Sequence, residues 1–172
     1  MLKIDYFQEL DTELDIPTLE ANLIQLELPK LFESADPSIT IRVGLRVVDS
    51  STSKDYNQRY SGNDYPTDVL SFAYQEDLDW VDRFAKEELE EIYLGYIMIC
   101  LPILESQASQ YGLGLNAELH LLMVHGLLHL MGYDHQDRDS EQKMSLVQDQ
   151  YMGFLGLNTR KFFKDKEESE QQ

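Results

Sequence analysis

Residues 116–131 are apolar almost all the way round a helix: Leu119, Leu121, Leu122, Val124, Leu127, Leu128, Leu130 and Met131 leave it no face for water. Such a helix has to be enclosed, so the rest of the chain must wrap it as the centre of a core. The same stretch carries His125 and His129. Residues four apart stand one above the other on a helix face, so both imidazoles can address one point. Gly132 follows, where a helix that must stop and turn back uses a residue tolerant of positive φ, and that turn would bring His135 round. Three imidazole nitrogens with a fourth position left to water are the donor set of a catalytic zinc site, whereas structural sites close with four ligands and are rich in cysteine. The single cysteine, Cys100, lies far from the run. We therefore expect His125, His129 and His135 to hold one metal ion per chain. Zinc comes first among the divalent transition metals that three imidazoles suit, nickel, copper and cobalt being the others.

His120 falls outside this spacing and reads as a core histidine with a satisfied hydrogen bond. Two histidines at i and i+4 can arise by chance; two, then a glycine, then a third at matched spacing form a motif. Burying three imidazoles without a partner would also be costly. The run shares the histidine and glycine spacing of the metzincin proteases, H-E-x-x-H-x-x-G-x-x-H, in which the glutamate is the general base. Here that position is Gly126, which carries no base. Peptide hydrolysis would need a carboxylate from elsewhere, and Asp134 is the only one inside the run, so a metalloprotease is the least favoured reading.

A chain of 172 residues, 42% hydrophobic with ten tyrosines and seven phenylalanines, has the material for one domain with a sizeable core. Alternation predicts a short strand over residues 2–7 and a stronger one over 39–48. In the latter Ile39, Ile41, Val43, Leu45 and Val47 share one face and Thr40, Arg42, Gly44 and Arg46 the other. Helical spacing runs over residues 16–32 with Pro17 in the first turn, and breaks at 33–37. Residues 50–60 read as a short helix opened by capping residues and closed at Ser61-Gly62-Asn63. Two further strands, 69–74 and 92–100, are joined by an acidic stretch expected to be an exposed loop, a candidate lid or partner contact. Helices are expected over 102–111, 116–131 and 137–155, with a frayed tail at 161–172. The sum is a single metal-binding α+β domain over residues 1–160: about four strands in a mixed sheet, about five helices, and the metal site on a buried central helix. No apolar run approaches a membrane span and no secretory leader opens the sequence, so a cytoplasmic location is expected.

Charge argues against simple electrostatic binding of a polyanion. The net charge is −18, and residues 1–36 hold nine acids against Lys3 and Lys30. Residues 73–91 hold eight against Arg83 and Lys86. Residues 37–63 are locally basic, with Arg42, Arg46, Lys54 and Arg59 against Asp49 and Asp55. Arg42, Arg46 and Arg59 are therefore the candidate phosphate contacts, with a solvated strand face as the plainer account of the same charges.

The run from His125 to His135 resembles H-G-x-L-H-L-x-G-Y-D-H, the signature of the YbeY family of bacterial metal-dependent endoribonucleases implicated in ribosomal RNA maturation; every fixed position matches. A second stretch, from Asn57 to Phe72, resembles that family's N-x-x-Y-R-G-K-D-x-P-T-D-V-L-S-F, and Leu94-Gly95 before an apolar strand is a third match. The resemblance runs over about residues 39–155 and agrees with the α+β outline. It implies a hydrolase, a single-strand-type endoribonuclease acting in ribosomal RNA processing, including 16S maturation, and in ribosome quality control. Ribosomal RNA, and ribosomal proteins or a ribosome-associated GTPase, are the partners implied. In that reading zinc would bring the pKa of bound water toward neutrality for attack on a phosphodiester, unless the 2′-hydroxyl of the RNA attacks. His125 and Asp134 are the candidate catalytic residues, Asp134 either accepting a proton or orienting a ligand through its second ring nitrogen. Three departures stand out: the family arginine before the glycine falls on Ser61, the following lysine on Asn63, and the acid after Leu-Gly on Tyr96. The competing function is a non-catalytic adaptor, stabilised by its metal and binding basic ribosome-associated proteins through an acidic surface.

Overall fold

A sheet of mixed direction carries the enclosed helix and sets where each histidine points. The computed structural model describes residues 1–25, 39–74, 91–134 and 137–157. They form strand β1 (Leu2–Gln8), helix α1 (Ile16–Ile24), β2 (Thr40–Val48), α2 (Ser50–Ser61), β3 (Val69–Ala73), β4 (Glu91–Cys100), α3 (Leu101–Gln110), α4 (Leu115–Leu130) and α5 (Arg138–Phe154). The later part of the helix expected at 16–32, the acidic stretch at 75–90, His135 and the tail at 161–172 lie outside the described residues. The sheet order is β1-β2-β4-β3, with β1, β2 and β4 parallel and β3 antiparallel to β4 at one edge. Four strands in one mixed sheet and five helices make the α+β single domain that the patterning predicts.

The alternation read in β2 is what orients the sheet. Ile41, Val43, Leu45 and Val47 are buried at 1% exposure or less, while Arg42 and Arg46 point to the opposite face. On the buried side, α4 lies over β3 and β4, with α3 and α5 against its flanks and α1 over β1. Helix α4 is buried from Glu118 through Leu128, as its all-round apolar sequence requires. Its approach to the sheet is unusually close at Gly126, where a Cβ atom would fall 2.8 Å from the Ile97 side chain. His120 is the core histidine expected. Its Nδ1–H donates to the Asn116 carbonyl at 2.6 Å, and its Nε2 accepts from the Asn22 amide at 3.0 Å, tying α4 to α1.

The Leu94-Gly95 pair has a structural explanation. Between β2 and β4 the register slips, so that Arg42 faces Tyr93 and Val43 faces Gly95, leaving Leu94 as the extra residue of a bulge. Gly95 adopts φ 139°, and a Cβ there would lie 2.1 Å from the Phe72 carbonyl oxygen. Only glycine lets β3 dock on β4 at this point. That docking matters because β3 forms one wall of the site.

Candidate functional site

Helix α4 ends where the sequence places its glycine. Gly132 takes φ 87°, its N–H donates to the His129 carbonyl at 2.9 Å, and the Tyr133 N–H donates to the Leu128 carbonyl at 3.0 Å. This is a Schellman turn, and it folds the chain back over the last helical turn. The Tyr133 carbonyl is thereby brought to 3.0 Å from Nδ1 of His129. A carbonyl oxygen accepts only, so Nδ1 of His129 holds the proton and Nε2 presents its lone pair. His125, 4% exposed, is fixed in the same tautomer from another direction: its Nδ1–H donates to Oε1 of Gln148 on α5 at 3.0 Å.

The two Nε2 atoms then converge, 3.1 Å apart, with the rings nearly perpendicular at 78°. In a tetrahedral zinc site with Zn–N bonds of about 2.0–2.1 Å, two ligand nitrogens stand roughly 3.3 Å apart. The donor chemistry and the separation both fit one divalent cation shared by His125 and His129. The third expected ligand, His135, lies outside the described residues, and among those described no group of three metal-binding side chains is assembled.

The pair opens into a cleft of about 600 Å³. One wall is β3 and the loop before it, from Thr67 to Ser71; the opposite wall is Gly132, Tyr133 and Asp134; Ser61 at the end of α2 closes the rim. The hydroxyl of Ser71 donates to the Gly126 carbonyl at 3.3 Å, pinning β3 to α4. Asp68, within the matched second stretch, is committed to holding this wall. Its Oδ1 accepts from the Val69 N–H at 2.8 Å and the Thr67 hydroxyl at 3.2 Å, and its Oδ2 from the Gln107 amide at 3.0 Å. Asp134 also lines the cleft, but the ring nitrogens it could have oriented on His125 and His129 are held by Gln148 and the Tyr133 carbonyl.

Gly126 settles the position a metzincin fills with its base. It faces Ile97 in the packed interface with β4, so a longer side chain there could not reach the cleft without displacing the sheet.

The three arginines sit apart from the cleft. Arg42 pairs with Asp5 through two nitrogens and with Glu91 at 3.5 Å. Arg46 donates to Glu9 at 2.6 Å and to the Tyr56 hydroxyl at 3.0 Å, and these partners hold its guanidinium even more firmly protonated than usual. Arg59 pairs with Asp55 one turn earlier on α2 at 2.9 Å. Sequence reading missed Gln148. Its signal was present: on α5 the buried stripe is Met144, Gln148 and Met152, a lone amide between two methionines.

Fold and site together define a class, a single α+β domain whose enclosed helix turns two imidazoles into a cleft at the edge of a mixed sheet. Comparison with known proteins carries this to a family. The family described as Endoribonuclease YbeY matches residues 7–156, a wider span than the motifs alone. Among curated proteins, the Endoribonuclease YbeY of Desulforamulus reducens is 36% identical over 151 residues, 88% of this chain and 94% of its own. That of Pelotomaculum thermopropionicum is 43% identical over 115 residues, 67% of this chain and 72% of its own. That of Bacillus licheniformis is 34% identical over 141 residues, 81% of this chain and 89% of its own. The solution structure of TM1509 from Thermotoga maritima shares the fold, with a TM-score of 0.50 and 24% identity over 95% of this chain and 100% of that one. The chain belongs to the YbeY endoribonuclease family.

Proposed function

We propose that this protein is a metal-dependent endoribonuclease that cleaves ribosomal RNA during its processing, including 16S maturation, and serves ribosome quality control in the cytoplasm. The observation that carries the reading is the convergence of two Nε2 lone pairs at 3.1 Å on a cleft, each imidazole locked in one tautomer from behind. His125 and His129 would hold the ion, with His135 of the same motif as third ligand and zinc as the metal. When bound, the metal supplies Lewis acidity toward a phosphodiester oxygen and acidifies a water at neutral pH. The protein's own groups do the rest. Gln148 and the Tyr133 carbonyl keep both imidazoles facing the cleft. Asp68 fixes the β3 wall against which the RNA backbone would lie. Asp134, the carboxylate inside the histidine run, lines the same cleft and would either carry a proton to or from the reacting oxygens or orient a ligating imidazole.

The test is cleavage of a structured ribosomal RNA fragment by the purified protein beside His125→Ala and His129→Ala, with metal content measured on each preparation. Loss of cleavage together with metal is expected; equal cleavage by all three would overturn the assignment. A second reading, an adaptor for basic ribosomal proteins or a ribosome-associated GTPase, is favoured by one observation. At net charge −18, the cations Arg42, Arg46, Lys54 and Arg59 already stand in ion pairs with the chain's own acids. No helix among the described residues is long and apolar enough to cross a membrane.

A further inference from the structure

The face of the sheet turned away from α4 is lined with aromatic rings. Phe72 on β3 stacks on Tyr96 on β4, with centroids 4.6 Å apart and planes at 19°. Tyr60 of α2 meets Phe72 edge-on at 4.9 Å, and Tyr74 meets Tyr93 edge-on at 6.5 Å. In the middle strand Gly44 provides the floor: a Cβ there would fall 2.7 Å from the Tyr93 hydroxyl, 2.9 Å from Cβ of Tyr96 and 3.6 Å from the Phe7 ring. The absent side chain lets rings from β1 and β4 converge over β2. Four of these rings are open to solvent, Phe7 53%, Tyr60 65%, Tyr74 72% and Tyr93 37% exposed, while the stacked Phe72 and Tyr96 are half-buried.

The face lies on the other side of the edge strand β3 from the cleft. Tyr60 precedes Ser61 on the cleft rim, and Phe72 follows Ser71 in the cleft wall. An RNA strand leaving the cleft past Ser61 and round the edge formed by β3 would meet these rings. What could hold it there is constrained by charge. Two of the cations bordering the face are already neutralised, Arg42 by Asp5 and Glu91 and Arg46 by Glu9, so these two have little to offer a phosphate. Ring faces remain, and single-stranded bases stack on aromatic side chains without needing a net positive field.

We propose that the outer face of the sheet is a stacking platform for single-stranded RNA flanking the cleaved bond. This rests on the endoribonuclease reading and names how the substrate is gripped beyond the cleft. The platform explains how so acidic a chain, with serine where its relatives' pattern has arginine, can retain an RNA strand.

The test is equilibrium binding of a fluorescein-labelled, ten-nucleotide 2′-O-methyl oligoadenylate to the full chain. Tyr74→Ala and Tyr93→Ala should each weaken binding about fivefold to a hundredfold, the range for losing one stacked base. Tyr74→Phe and Tyr93→Phe should retain it, and Phe154→Ala, an exposed ring on α5, should leave it unchanged. The salt dependence should be shallow, with a log–log slope no steeper than about −0.7, one phosphate's worth on a single strand. Alanine variants that bind like the wild type, a wild type that does not bind, or a slope of about −3 or steeper would each overturn the proposal. So would ring-dependent binding of a lysine- and arginine-rich peptide without ring-dependent binding of the oligonucleotide, which would give the face to a basic protein. The two readings separate in the cleavage assay. Normal KM for ribosomal RNA in the Tyr74→Ala/Tyr93→Ala double variant removes the platform and keeps the nuclease. Ring-dependent binding by a wild type that never cleaves removes the nuclease and keeps the platform.

Discussion

Replacing Gln148 by leucine should lower metal affinity far more than it lowers stability. Gln148 is 1% exposed, and its Oε1 is the acceptor for Nδ1–H of His125 at 3.0 Å. Leucine fills similar space and accepts nothing. The buried Nδ1–H is then either unpaired, at a cost of about 1–3 kcal/mol, or it disappears because the proton moves to Nε2. From Nε2 it can be donated to Nε2 of His129, 3.1 Å away, recovering roughly 1 kcal/mol. The folded apoprotein therefore loses about 2 kcal/mol or less. The cation meets the opposite situation: the lone pair it needs is now protonated, and restoring the ligating tautomer brings back the unpaired donor. A tenfold to hundredfold loss of affinity is expected, the usual effect of removing the group that orients a ligating histidine. Gln148→Glu keeps an acceptor at the same place and should bind metal at least as tightly as the wild type. Competition against a zinc-chelating dye at pH 7.5 reads the affinity, and urea titration of metal-free protein reads the stability. Unchanged affinity in Gln148→Leu, or an equal loss in Gln148→Glu, would refute the argument.

Gly126→Ala should cost about 1–3 kcal/mol by forcing α4 off Ile97, seen as a lower urea midpoint; Gly126→Glu should be worse still and should confer no peptidase activity on a casein substrate. Gly95→Ala combines a positive-φ penalty of about 1–3 kcal/mol with a backbone collision, so β3 should detach and the variant should lose both stability and cleavage. Burial lowers the pKa of His120 below its ordinary 6.5. The unfolded chain therefore takes up a proton that the native state refuses. The stabilising contribution is complete above pH 6.5 and is lost as pH falls from there through the native pKa. Urea midpoints at pH 7.5 and 5.5 should differ more in the wild type than in His120→Gln; an equal difference would assign the effect to other groups.

What could be read beforehand was local or periodic. The apolar circumference of α4 announced its burial, the i, i+4 spacing announced the facing imidazoles, and the alternation in β2 separated Val43 and Leu45 from Arg42 and Arg46. What escaped depended on strand order. Residues 37–63 look basic in sequence, yet the acids that neutralise Arg42 and Arg46 arrive from β1, from the residue just after it and from the start of β4, tens of residues away. Gln148 becomes meaningful only once α5 is laid against α4. The aromatic face likewise assembles from three strands and α2, none of which carries a recognisable ring motif alone.

The order β1-β2-β4-β3 has a consequence for the rhythm of the molecule. The strand that walls the cleft is the sheet's shortest, with five residues, and stands at its margin among the described strands, whereas β2 and β4 are clamped in the interior. Amide protons of residues 69–73 should exchange with solvent through a shallow opening, while those of 41–47 should wait for global unfolding. The wall against which an RNA strand would be cut is thus the part of the sheet most easily unzipped.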